Sequence, residues 1–174
     1  SKVWENKRLL TYVPRSVVDA RSRRRMMVED DDWGHIDVAK SVKKVIDAGG
    51  KAQLGAHGQL QGLGAHWELW MLVQGGMTPL EAIRCATLYG AQYIGLDDDL
   101  GSLEPGKLAD LIVTEKNPLE DIHNSESIRF VMLNGRLFDA STMDQIGNHP
   151  AKRAPFYWDG GKDPAALELN QERD

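Results

Sequence analysis

Residues 51–81 read KAQLGAHGQLQGLGAHWELWMLVQGGMTPLE, and no other stretch limits the possible fold as much. Residues 51–55 are short and apolar around Ala52 and Leu54, the pattern of a strand. Gly58, Gly62 and Gly64 follow in a loop that must bend sharply. A helix is predicted over 65–74, with Trp67 and Trp70 to one side, and Gly75-Gly76 stops it. Thr78-Pro79-Leu80-Glu81 then supplies an N-cap hydroxyl, a proline at the first helical position and a glutamate to close a capping box. The helix it starts is expected to run over 79–94, with a pause near Gly90.

Upstream, Ile36, Ala39, Val42, Val45 and Ile46 recur at intervals of three and four, predicting an amphipathic helix over 36–48. Asp32 is its expected N-cap and Gly49-Gly50 its stop. Leu9, Leu10, Tyr12 and Val13 predict a short strand before Pro14, and 15–34 a loop or short irregular helix. Helix, strand, glycine loop, helix and capped helix together read as the end of an α/β unit. Downstream, 109–114 and 128–133 are β-rich, and Asn134-Gly135 is a strong hairpin signal into Arg136-Leu137-Phe138. Beyond Gly147 come Pro, Gly, Lys and Asp with Phe156, Tyr157 and Trp158, expected as a surface tail.

Composition narrows the function. The formal charge is -5, from 26 acidic and 21 basic residues, which disfavours nucleic acid as a partner. The basic run Arg21-Ser22-Arg23-Arg24-Arg25 is followed at once by Glu29-Asp30-Asp31-Asp32, an arrangement suited to local pairing. The single cysteine, Cys85, excludes an intramolecular disulfide. There is no 18-residue apolar run, so no membrane-spanning helix is expected. Localisation cannot be read from the sequence.

GAHGQLQGLGAHWELWMLVQGGMTPLEAIRCATLYGAQYIGL, LGSLEPGKLADLIV and NPLEDI together resemble the C-terminal part of the metal-dependent amidohydrolase superfamily. The resemblance covers about 35–138 and, more loosely, 12–32. It is nearest to the imidazolonepropionase-like branch, in particular members fused behind WD40-like or Tricorn-type propeller repeats. Such proteins are (β/α)₈ barrels with a small β-sandwich built from both ends of the chain, and hold one or two divalent metals at the strand ends. A whole barrel needs roughly 250 residues, so this chain is expected to supply its closing portion, followed by sandwich strands. The implied division is 1–100 for the barrel part, with the last strand near 51–55 and helices 36–48, 65–74 and 79–94. Residues 101–140 would be the sandwich strands and 141–174 the surface tail.

The resemblance also implies the site. Its His-x-His pair and two later strand histidines have no counterpart here. The usual Gly-Thr-Asp after the eighth strand, whose aspartate touches metal and acts as general base, is Gly55-Ala56-His57. An imidazole can ligate zinc or accept a proton near neutral pH, so His57 is the expected metal ligand and catalytic group. A histidine merely held by a backbone carbonyl in a glycine turn is the competing reading. His66 could face the site mouth or pack locally. Arg21 and Arg24 lie in a segment that resembles a substrate-facing lid, where a guanidinium could meet a carboxylate, or they pair on the surface. The implied parent is a hydrolase of carbon–nitrogen bonds in a small amide or cyclic amide, with zinc the expected metal. The alternative is a chain that is itself inert, binds no metal and self-associates through an open strand edge.

Overall fold

The computed structural model describes residues 3–22, 29, 32–57, 60 and 62–156. Arg24, one of the expected substrate-facing arginines, lies outside them, as do Tyr157 and Trp158. The described residues divide into two compact units, 3–22 with 153–156, and 29–152.

In the smaller unit, residues expected as a strand are helical. Asn6 accepts the Leu9 backbone N–H through its side chain at 2.9 Å and caps helix α1, Lys7–Tyr12. Val13 is extended, as a residue before proline prefers. Pro14 then starts α2, Arg15–Ser22, its carbonyl accepting from Val17 and Val18. Val3, Leu9 and Val18 form the buried side of this unit. Phe156 packs edge-on to Tyr12, with the Arg153 guanidinium 4.2 Å from its ring centre.

The larger unit opens with α3, His35–Asp47. Its N-cap is Gly34 rather than Asp32, and no side chain caps it. Ala39, Val42 and Ile46 turn inward as the periodicity predicts, while Val45 stays exposed. Helix α4, Leu63–Gln74, packs against α3 so closely that a Cβ on Gly75 would sit 2.4 Å from the Ala39 Cβ. Leu69 and Leu72 of α4 join Met77, Ala82, Cys85 and Ile122 in the main core. Each buried leucine contributes about 1.5–3 kcal/mol there.

The capping box is formed. Thr78 Oγ1 accepts the Glu81 N–H at 3.2 Å and Glu81 Oε2 accepts the Thr78 N–H at 2.8 Å. The expected single helix over 79–94 is two, α5, Pro79–Ala86, and α6, Leu88–Ile94. The break falls at Thr87, not Gly90, because the Thr87 hydroxyl donates back to the Ile83 carbonyl at 2.8 Å in competition with the helical ladder. Gly95 ends α6 in the left-handed conformation, with Leu96 N–H on Ala91 and Gly95 N–H on Gln92.

Residues 51–55, expected as a strand, join no ladder. A strand exists through its neighbours, and among the described residues none pairs with this segment. The sheet lies downstream: β1, Leu111–Thr114, β2, Ile128–Leu133, β3, Arg136–Asp139, and β4, Gln145–Ile146, paired antiparallel in that order. Asn134 and Gly135 both have positive φ, 48° and 75°, as a type I′ hairpin needs. The expected tail therefore starts too early at 141, since β4 extends the sheet and Gln145 is buried. Among the described residues there is one sheet, no second layer facing it and no closed barrel. No described helix is long and apolar enough to cross a membrane.

Candidate functional site around His57

The segment before His57 is hung between two helices. Leu54 donates its N–H to the Cys85 carbonyl at the end of α5, at 3.2 Å. Gly55 donates its N–H to the Glu68 carboxylate on α4, at 2.9 Å. Ala52 and Leu54 pack against the main core, and a Cβ on Gly64 would touch the Ala56 Cβ at 3.4 Å. His57 follows, exposed and with φ 53°, in the left-handed region that histidine enters more readily than most residues. Among the described residues no hydrogen bond or ion pair reaches the His57 ring.

His66, on α4, meets the 3₁₀ turn that precedes β2. Its Nδ1 lies 3.0 Å from the hydroxyl of Ser125. The Trp70 indole N–H is shared between that hydroxyl and the Ile122 carbonyl, both at 3.2 Å. The Trp70 ring also packs on His123, with centroids 4.5 Å apart. His123 Nδ1 meets Asp121 at 2.7 Å. Asp121 is held below the ordinary carboxylate range, first by the backbone N–H of His123 and then by its ring. These residues tie α4 to the 3₁₀ turn Ile122–Glu126. His35 reaches Gln74 at 3.0 Å across the α3–α4 contact. Arg21 sits exposed in the last turn of α2, where a cation suits the helix dipole.

Two motifs behind the resemblance are structural in the same way. In NPLEDI, Asn117 Oδ1 accepts the Leu119 N–H at 3.0 Å, and the turn delivers Ile122 to the core. In GSLEPGK, the Lys107 ammonium closes the loop, donating to the Asp97 carbonyl at 2.5 Å and the Ser102 hydroxyl at 2.6 Å. The sequence reading passed over Asp121 and Ser125, whose signal was their spacing within and after NPLEDI. The Glu68 carboxylate takes the Gly55 N–H.

The donors do not suit a complete divalent-metal site. Among the described residues no three His, Cys, Asp or Glu groups gather where they could hold an ion. A zinc site takes three or four protein ligands. His57 offers one nitrogen.

Helices packed about an irregular, histidine-bearing turn and followed by an antiparallel sheet define an α/β chain consistent with part of an amidohydrolase-type barrel. The Amidohydrolase family matches residues 39–138, more than half of the chain, and the chain belongs to that family. Ochratoxinase of Aspergillus niger is 32% identical over 169 residues, covering 89% of this chain and 35% of its own length. Guanine deaminase of Escherichia coli (strain K12) is 32% identical over 103 residues, 56% of this chain and 24% of the enzyme. The crystal structure of a Xaa-Pro dipeptidase superposes with a TM-score of 0.53 at 35% identity, covering 59% of this chain and 25% of that one. The chain thus spans between 24% and 35% of the length of these relatives.

Proposed function

We propose that this chain is the closing portion of a hydrolase that acts on carbon–nitrogen bonds of a small amide-type substrate, and that on its own it is catalytically inert. The observation that carries this reading is a contrast. The family match runs through the whole core of the larger unit, yet the described residues gather no set of metal-binding groups. A deaminase and a dipeptidase among the relatives both break carbon–nitrogen bonds, which favours that bond class for the whole protein.

Within that reading His57 is the group this chain brings to the site, as one imidazole able to accept a proton or to join ligands supplied elsewhere. The imidazolonepropionase-like branch is the favoured one, on the strength of GAHGQLQGLGAHWELW. Arg21, Arg24 and His66 are proposed for the substrate side. Self-association is part of the same reading. Ile112 on β1 and Leu133 on β2 are each about 60% exposed, and exposed apolar sheet of that kind invites cover.

The test is a paired assay. The 174-residue chain and the whole protein would each be given Xaa-Pro dipeptides, N-acyl amino acids and guanine, with and without added zinc. Turnover by the whole protein alone is expected. Turnover by the chain alone, lost in His57→Ala, would overturn the inert reading. Failure of both on every amide and amine would overturn the bond class. Sedimentation of the chain at several concentrations tests self-association.

A further inference from the structure

We propose that Glu68 is a positioning residue for His57, acting through the backbone N–H of Gly55; the idea rests on His57 being the group this chain brings to the site. Among the described residues, the turn carrying His57 has few supports. Its last ladder-like bond is Leu54 N–H to the Cys85 carbonyl, and one residue later the Glu68 carboxylate takes the Gly55 N–H at 2.9 Å. Two residues beyond that anchor the chain enters the left-handed conformation at His57. A sparsely populated conformation persists when its surroundings over-determine it.

Glu68 is well suited to be that determinant. It stands in the middle of α4, whose Leu69 and Leu72 are buried in the core, so the carboxylate projects from a rigid base. A carboxylate accepting a backbone N–H makes a charge-assisted hydrogen bond, stronger than a neutral one. The same helix face presents Gly64, against which Ala56 lies, its Cβ 3.4 Å from where a Cβ on Gly64 would stand. Gly55 and Ala56 are thus fixed to one helix from two points, and the direction in which His57 leaves the turn is set by them. Glu68 takes no part in the ties that bind α4 to the 3₁₀ turn, which run through His66 and Trp70. Its loss should therefore be felt at residues 55–57 before the core.

The experiment is nuclear magnetic resonance on the full chain, with the His57 ring signals assigned by their loss in His57→Ala. Glu68→Ala is expected to raise hydrogen exchange at the Gly55 amide about ten- to a hundredfold. It should also move or broaden the His57 ring signals while those of His123 stay in place. Glu68→Gln keeps an acceptor oxygen and should restore both. Should Glu68→Ala fail to fold, Glu68→Met fills the same space without an acceptor and should behave as the alanine was expected to. Faster Gly55 exchange with an unmoved His57 ring would overturn the proposal, as would unchanged exchange. The role of His57 itself is read separately, from the activity of His57→Ala in the whole protein. Failure there leaves these resonance results standing.

Discussion

The imidazole of His66 and the hydroxyl of Ser125 meet at 3.0 Å across 59 residues of chain. That contact joins α4 to the 3₁₀ turn leading into β2. Ser125 also receives the Trp70 indole N–H, which leaves its proton and a second lone pair for His66, the direction being set by the tautomer of the ring. The pair is half-buried, and a hydrogen bond in such a place counts for more than at the surface.

Ser125→Ala is therefore expected to destabilise the chain by about 1–2 kcal/mol. Trp70 keeps the Ile122 carbonyl, so His66 suffers most. In a cycle with His66→Phe the two losses should fall short of additivity by about 0.5 kcal/mol or more. Urea unfolding followed by tryptophan fluorescence measures this, and strict additivity would mean the two groups do not interact.

Gly64 in α4 and Gly75, its C-cap, make a matched pair. A methyl at 75 would drive into Ala39, at 2.4 Å from its Cβ, whereas at 64 the nearest atom is the Ala56 Cβ at 3.4 Å. Gly75→Ala should cost about 1–3 kcal/mol through forced separation of α3 and α4. Gly64→Ala should be neutral or gain up to about 1 kcal/mol from helix propensity. Thermal melts of the two variants decide it, and equal midpoints would show that α3 and α4 do not approach as closely as described.

What was legible in the sequence was what local chemistry dictates. Thr78-Pro79-Leu80-Glu81 starts a helix with its own side chains, and Asn134-Gly135 turns a hairpin because both residues tolerate positive φ. Residues 51–55 show the limit. Ala52 and Leu54 alternate like a strand, but a strand also needs partners that no local pattern can provide. Residues 7–12 failed differently, since Leu9, Leu10 and Tyr12 suit either state and the Asn6 cap decided for helix. At the site, His57 stood out through its glycine setting. The acceptor that holds its turn, Glu68, lies 13 residues beyond Gly55 and became visible only in three dimensions.

The capping box has a pH signature. Glu81 is held below its ordinary value of 4.5, chiefly by the Thr78 backbone N–H, with the Thr78 hydroxyl and Lys43 helping against the opposing effect of burial. A carboxyl depressed in the folded state stabilises it above the unfolded value, and that contribution is lost as pH falls through the folded one. Wild type should therefore melt higher than Glu81→Gln at pH 7, and the gap should narrow as pH is taken progressively below 4.5. A gap that never narrows down the acid limb would mean that the charge of Glu81 contributes nothing.

Cys85 should be chemically silent until the chain opens. It is 1% exposed, in a helix whose carbonyl end also holds Leu54. Burial pushes its thiol up from the usual range, and the charges of Glu81 and Glu68 push the same way. Both effects disfavour the thiolate, which is the reactive species. Labelling by a thiol-specific disulfide reagent should be slower in buffer than in 6 M guanidinium (a roughly denaturing dose for a small domain) by a factor of about a thousand or more, set by the opening equilibrium. Cys85→Ser should destabilise more than Cys85→Ala, because it places a hydroxyl among Leu69, Leu72 and Met77 with no partner given to it. Comparable labelling rates in the two solvents would mean that α5 is not docked on α4, and the support of Leu54 beside the His57 turn would fall with it.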